Sequence, residues 1–122
     1  MAIVNITTVS DADFVRAFQL RTLDGANVSI PFDLTGARLR IGVRRHAADY
    51  EELLLLTTEN GGIIINDPPN GVFTVTIRKE TLLDLPVGDY VHSLIRIMAY
   101  EDQEFLYRVW SGSLAHSAGP SR

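Results

Sequence analysis

FDLTGARLRIGVRR, residues 32–45, decides how the rest of the chain is read. A Thr35-Gly36 turn leads into a run in which Leu39, Ile41 and Val43 share one parity. Arg38, Arg40 and Arg44 share the other, with Gly42 among them and Arg45 closing the run. Side chains alternate faces along a strand, so this pattern predicts a strand with one apolar and one cationic face. The cationic face admits three readings: a solvated surface, a row that pairs with acidic groups of a neighbouring protein, or a phosphate or nucleic-acid site.

The same two-residue period recurs. Phe73, Val75 and Ile77 oppose Val72, Thr74, Thr76 and Arg78, and Phe14, Phe18 and Leu20 share a side with Arg16. Turn-forming pairs punctuate the chain at Asp24-Gly25, Asn60-Gly61-Gly62, Pro68-Pro69-Asn70-Gly71, Pro86-Val87-Gly88 and Ser111-Gly112. Short β-rich segments between regular turn signals predict an all-β sandwich or barrel of about eight strands. Two segments depart from that pattern: one helical turn is expected around Ala47 to Glu52 ahead of a strand at Leu54 to Thr58, and another in KETLLDLP, residues 79–86. The chain reads as a single domain over 1–122, with 115–122 as a polar C-terminal tail.

Two late segments are apolar on both faces. Val91, Ile95, Ile97 and Ala99 oppose Tyr90, Leu94, Met98 and Tyr100, and Phe105, Tyr107 and Val109 oppose Leu106, Arg108 and Trp110. A strand apolar on both sides is central to a core or covered by another chain. The link EDQE, residues 101–104, has the length of a hairpin loop.

The 122 residues are enough to bury a core without disulfides or metals, and there is no cysteine to form the former. The net charge is −4, and ten of the eleven basic residues are arginine. An acidic chain is poorly suited to nucleic acid, whose affinity comes from phosphate neutralisation, and no aromatic residue interleaves the arginines between Phe32 and Tyr50 for base stacking. Arginine in preference to lysine suits protein contacts. No apolar run is long enough for a membrane span, and the first residues lack the basic and apolar regions of a signal peptide.

Chemistry-bearing constellations are sparse. His46, His92 and His116 are scattered, with no second His or Cys at metal-ligand spacing. Asp11 with Asp13, Asp49 to Glu52, and Glu101 to Glu104 are acidic clusters without the glycine-punctuated loop of a calcium site. The glycines of ENGGIIIND run into a strand rather than a helix, and Ser111-Gly112-Ser113 lacks a nearby histidine. No catalytic, cofactor-binding or metal-ligating residue is expected, and no enzymatic activity. The interface candidates are Arg38, Arg40 and Arg44 from the cationic row, with Leu94, Met98, Tyr100, Leu106 and Trp110 from the two-faced strands. The alternative for those five is a second core layer. Trp110 with Tyr100 and Tyr107 is the one aromatic set that could serve a carbohydrate-binding module, although Tyr107 and Trp110 differ in parity.

Three phrases in order also carry a resemblance: FDLTGARLRIGVR at 32–44, NGVFTVTI at 70–77 and LPVGDYVHSL at 85–94. Their sequence and spacing resemble the family typified by the N-terminal domain of phage baseplate upper proteins, together with related β-sandwich adaptors of tail and neck fibres. The resemblance covers residues 14 to 114. It implies an immunoglobulin-like antiparallel β-sandwich acting as a structural protein of the virion: a baseplate, neck, fibre-docking or capsid-decoration subunit assembled in the host cytoplasm. The implied partners are other copies of itself, a trimer where it seats a fibre, and other virion structural proteins, with no nucleic acid and no membrane.

Overall fold

The apolar side of the opening stretch anchors the molecule. Leu39, Ile41 and Val43 are fully buried, while Arg38 on the opposite side is exposed. The computed structural model describes residues 2–49 and 51–119, apart from the side chains of Ala2 and Tyr100. It is all-β, with eleven strands among the described residues: β1 (Ala2–Ile3), β2 (Ile6–Val9), β3 (Phe14–Gln19), β4 (Arg21–Leu23), β5 (Ser29–Pro31), β6 (Arg38–Arg44), β7 (Leu54–Thr57), β8 (Ile63–Asp67), β9 (Val72–Ile77), β10 (Gly88–Tyr100) and β11 (Gln103–Ser117). One short helix, α1 (Lys79–Asp84), lies between β9 and β10, and a 3-10 turn at Pro68–Asn70 joins β8 to β9.

The larger sheet runs β1-β11-β10-β6-β7, and β2 follows β1 along the same edge of β11. Both N-terminal strands pair with β11 in parallel, Ala2 and Ile3 opposite Trp110 and Ser111, and Ile6 to Val9 opposite Leu114 to Ser117. The second sheet has the order β3-β9-β8, and β4 and β5 form a separate hairpin. The two main sheets share one core. Leu39, Ile41, Val43, Tyr90, Leu94, Trp110 and Leu114 from the first meet Ile63, Phe73, Val75 and Ile77 from the second, with Leu82 and Leu85 from the α1 region. Trp110 bridges the sheets directly, with ring centroids 5.0 Å from Phe18 and 5.9 Å from Phe73.

β10 and β11 form a long antiparallel pair whose register shifts once. Leu94 lies opposite Trp110 but Ile95 lies opposite Arg108, so Val109 is an extra residue on β11. Such a bulge reverses the parity of everything on one side of it. Alternation alone put Trp110 on the side away from Phe105 and Tyr107. Across the bulge it shares their face, pointing into the core at 3% exposure.

Three further expectations are corrected. Residues 115–117 are not tail: Ala115, His116 and Ser117 pair with Thr7, Thr8 and Val9, and His116 is buried. Its Nε2–H donates to the Leu82 carbonyl at 2.9 Å, which leaves Nδ1 to accept from the Thr8 hydroxyl at 2.8 Å. The ring thereby ties β11 to β2 and to α1. No helix forms among the described residues around Ala47 to Glu52. The chain makes a turn there, with the Asp49 N–H donating to the His46 carbonyl, and Tyr50 lies outside the described residues. The helical turn expected in 79–86 does form as α1, where Asp13 accepts from the Lys79 N–H. About eight strands were expected. The additional ones include two-residue β1 and the β4–β5 pair, too short for periodicity to reveal.

His92 sits on the core side of β10, opposite Val43 and Gly112, 3% exposed, and neither ring nitrogen has a hydrogen-bond partner among the described residues. Burial holds its pKa below the ordinary 6.5. The native state therefore resists protonation. This contribution to stability is intact above about pH 6.5 and is lost as pH falls through the lower folded value. Urea unfolding at about pH 7.5 and about pH 5.5 is expected to show a stability loss in the native chain that is smaller in His92→Leu. An equal loss in both chains contradicts the assignment.

Candidate interaction surface

The arginine row is satisfied from within the chain. Arg38 pairs with Glu59 at 3.1 Å and with Glu104 at the start of β11. Arg40 and Arg44 share Glu52, whose Oε1 accepts from Arg40 and lies 3.3 Å from Arg44 Nη2. Gly42 makes that sharing possible. It stands between the two arginines on the outward side of β6, and the Glu52 carboxylate occupies the space a Cβ there would take. The Leu53 N–H to Val43 carbonyl bond, 2.8 Å, holds the Glu52 backbone alongside the strand. Glu52 Oε2 and Arg44 Nε are buried without hydrogen-bond partners among the described residues.

Each arginine of the row thus has an ion-pair partner within its own chain, Arg40 and Arg44 sharing one carboxylate between them. Glu59 is held below its ordinary pKa of 4.5 by its backbone N–H first and by Arg38 second. The aliphatic stems of the arginines lie beside Ile95 and Ile97, register neighbours of Arg40 and Arg38, which are half-buried on the same outward face. This is why β10 reads as apolar on both sides: it is central in its sheet, cored on one face and covered by arginine stems on the other.

The five remaining candidates separate. Leu94 and Trp110 are in the core, at 0% and 3% exposure, so they offer no surface to another subunit. Met98 is half-buried, and the side chain of Tyr100 lies outside the described residues. Leu106 is exposed, at 58%. It belongs to a group that parity arguments did not single out. β6 pairs with β10 from Val91 to Ile97 and no further. Beyond that point, Met98 to Tyr100 and Phe105 to Gln103 continue as a two-stranded ribbon closed by Glu101 and Asp102. Phe105 on it, and Leu106 and Tyr107 at its base opposite Ile97 and Arg96, stand consecutively along β11, all exposed. Three large apolar side chains in a row cannot all face one core across a two-residue period, and that was the signal available in the sequence.

Arg96 sets the base of the ribbon. Its guanidinium lies 4.6 Å from the Phe32 ring centre and 4.9 Å from that of Tyr107, so a cation sandwiched between two rings continues the core outward. On the outward face, a trough of about 610 Å³ is lined by Gly42, Arg44, Ser93, Arg108, Ser111 and Ser113 among others. Among the described residues no cluster of three or more His, Cys, Asp or Glu side chains is placed to hold a metal. The hydroxyl–imidazole pair the chain does contain, Thr8 with His116, is buried and locked by the Leu82 carbonyl, so it acts as a clip between strands. Comparison with known proteins finds no family model that matches the chain and no curated protein that matches it.

Gly42 and Glu52 act through one contact and are expected to be non-additive. Gly42→Ala and Glu52→Ala each cost about 1–3 kcal/mol in urea unfolding, from lost charged hydrogen bonds. In the Glu52→Ala background the further cost of Gly42→Ala falls below about 0.5 kcal/mol. Full additivity contradicts the shared contact.

Proposed function

We propose that the chain is a non-enzymatic structural subunit of a phage or phage-like particle, a homo-oligomeric adaptor that works through protein–protein contacts. The observation that carries this reading is the ribbon. Its tip projects past the end of β6, and Phe105 on it stands exposed beside Leu106 and Tyr107 at its base, an arrangement that suits an interaction site and that a free surface rarely maintains. Two features support the immunoglobulin-like sandwich that the resemblance implies: the sheet orders, with the last strand flanked in parallel by the first two, and the shared core between the sheets. The carbohydrate-binding alternative depends on Trp110 as part of an open aromatic platform, and Trp110 is buried.

Quantitative mass spectrometry of purified particles from the source strain tests the reading. The expected result is the chain present at a fixed, symmetric stoichiometry relative to a tail or capsid protein. Complete particles without the chain contradict it.

A further inference from the structure

We infer that the open edge of β11, from Gln103 to Val109, pairs with the same edge of a second copy of the chain, antiparallel about a two-fold axis at Leu106. The clause of the functional reading it rests on is that the ribbon is a contact surface; it names the occupant of that surface and does not depend on the particle.

The edge itself is the first argument. A strand presents backbone donors and acceptors to both sides, and those of β11 are used unequally. β10 covers one side along its whole length, while β1 and β2 cover the other only from Trp110 onward. Among the described residues no strand pairs with the outer side of Gln103–Val109. QEFLYRV has no proline and no lysine, and its two charges, Glu104 and Arg108, are of opposite sign, so they do not repel an identical strand. The bulge at Val109 marks where strand cover begins. Another strand is the occupant this edge fits, since strands already occupy the rest of it.

The sequence of the segment selects the partner. Two identical strands related by a two-fold axis normal to the sheet pair residues of equal parity, so the axis must fall on a residue. With the axis at Leu106, Leu106 meets its own copy, Phe105 meets Tyr107, Glu104 meets Arg108 and Gln103 meets Val109. At the three central pairs apolar residues then oppose apolar residues, and opposite charges oppose each other twice. Moving the axis to Phe105 or Tyr107 opposes Leu106 to Glu104 or to Arg108. Cross-strand pairing energies favour the first register. Both charged groups are available to it. Arg108 is exposed and has no ion-pair partner among the described residues, and Arg38 keeps Glu59 at 3.1 Å when Glu104 turns to the second copy. Leu106, Glu104 and Arg108 lie on the outward face, and Phe105 and Tyr107 on the core side, so both faces of the joint sheet are matched.

The chain has no cysteine, so a single introduced thiol reports the axis. Under mild oxidation of the chain, Leu106→Cys is expected to form a disulfide-linked dimer at least about tenfold faster than Leu83→Cys, an exposed position on α1. Charge exchange tests the register. By sedimentation equilibrium, Glu104→Arg and Arg108→Glu each weaken the dimer by about tenfold or more, because each change replaces two attractions by two repulsions. The double variant returns to within about threefold of the native value. Cross-linking no faster than the control, a monomer or trimer in sedimentation, or a double variant no tighter than the singles overturns the proposal. A dimer in solution with particles that lack the chain leaves the edge pairing standing and removes the particle role; a monomer found in particles does the reverse.

Discussion

One extra residue in β11 governs the arrangement of this molecule. Val109 has no counterpart on β10, and the resulting half-turn of phase places Trp110 between the two sheets while keeping Phe105 and Tyr107 on the same side. Without the bulge, Trp110 would face outward and the contact among Phe18, Phe73 and Trp110 would be lost. With it, the C-terminal half of β11 belongs to the core, while Phe105, Leu106 and Tyr107 in its N-terminal half are exposed. The boundary between the buried and the exposed part of β11 lies at a single backbone irregularity.

A second constraint operates on the opposite side of the sheet. A row of arginines over a central strand repels itself and leaves half-buried isoleucines beneath it. The chain answers with carboxylates delivered from three separate segments: Glu52 before β7, Glu59 after it, and Glu104 at the start of β11. Gly42 is the backbone feature that lets one carboxylate serve two guanidinium groups. The net effect is an outward face on which the arginines of the row are held by carboxylates of their own chain.

Much of the fold was legible. The alternation of Leu39, Ile41 and Val43 against the arginines, the turn signals and the α1 segment all follow from period and local chemistry, and the structure has them in place. What period could not reveal was non-local. The bulge at Val109 depends on the match between β10 and β11. The burial of His116 depends on Thr8 and Leu82, far away in sequence, and residues 115–117 look polar only until β2 pairs with them. The arginine row was correctly seen as a face, but its carboxylate partners come from two loops and from β11, segments whose return path no spacing encodes. Of the interface candidates, Leu106 lies exposed at the base of the ribbon, while Leu94 and Trp110 were drawn into the core by the register shift and the central position of β10.

Amide hydrogen–deuterium exchange, followed peptide by peptide over a range of protein concentrations, tests most directly whether the ribbon edge is a contact surface. The account predicts that amides in 103–109 gain protection as concentration rises, while those in 114–117, already paired with β2, are protected throughout. Exchange in 103–109 that stays fast and independent of concentration would contradict it.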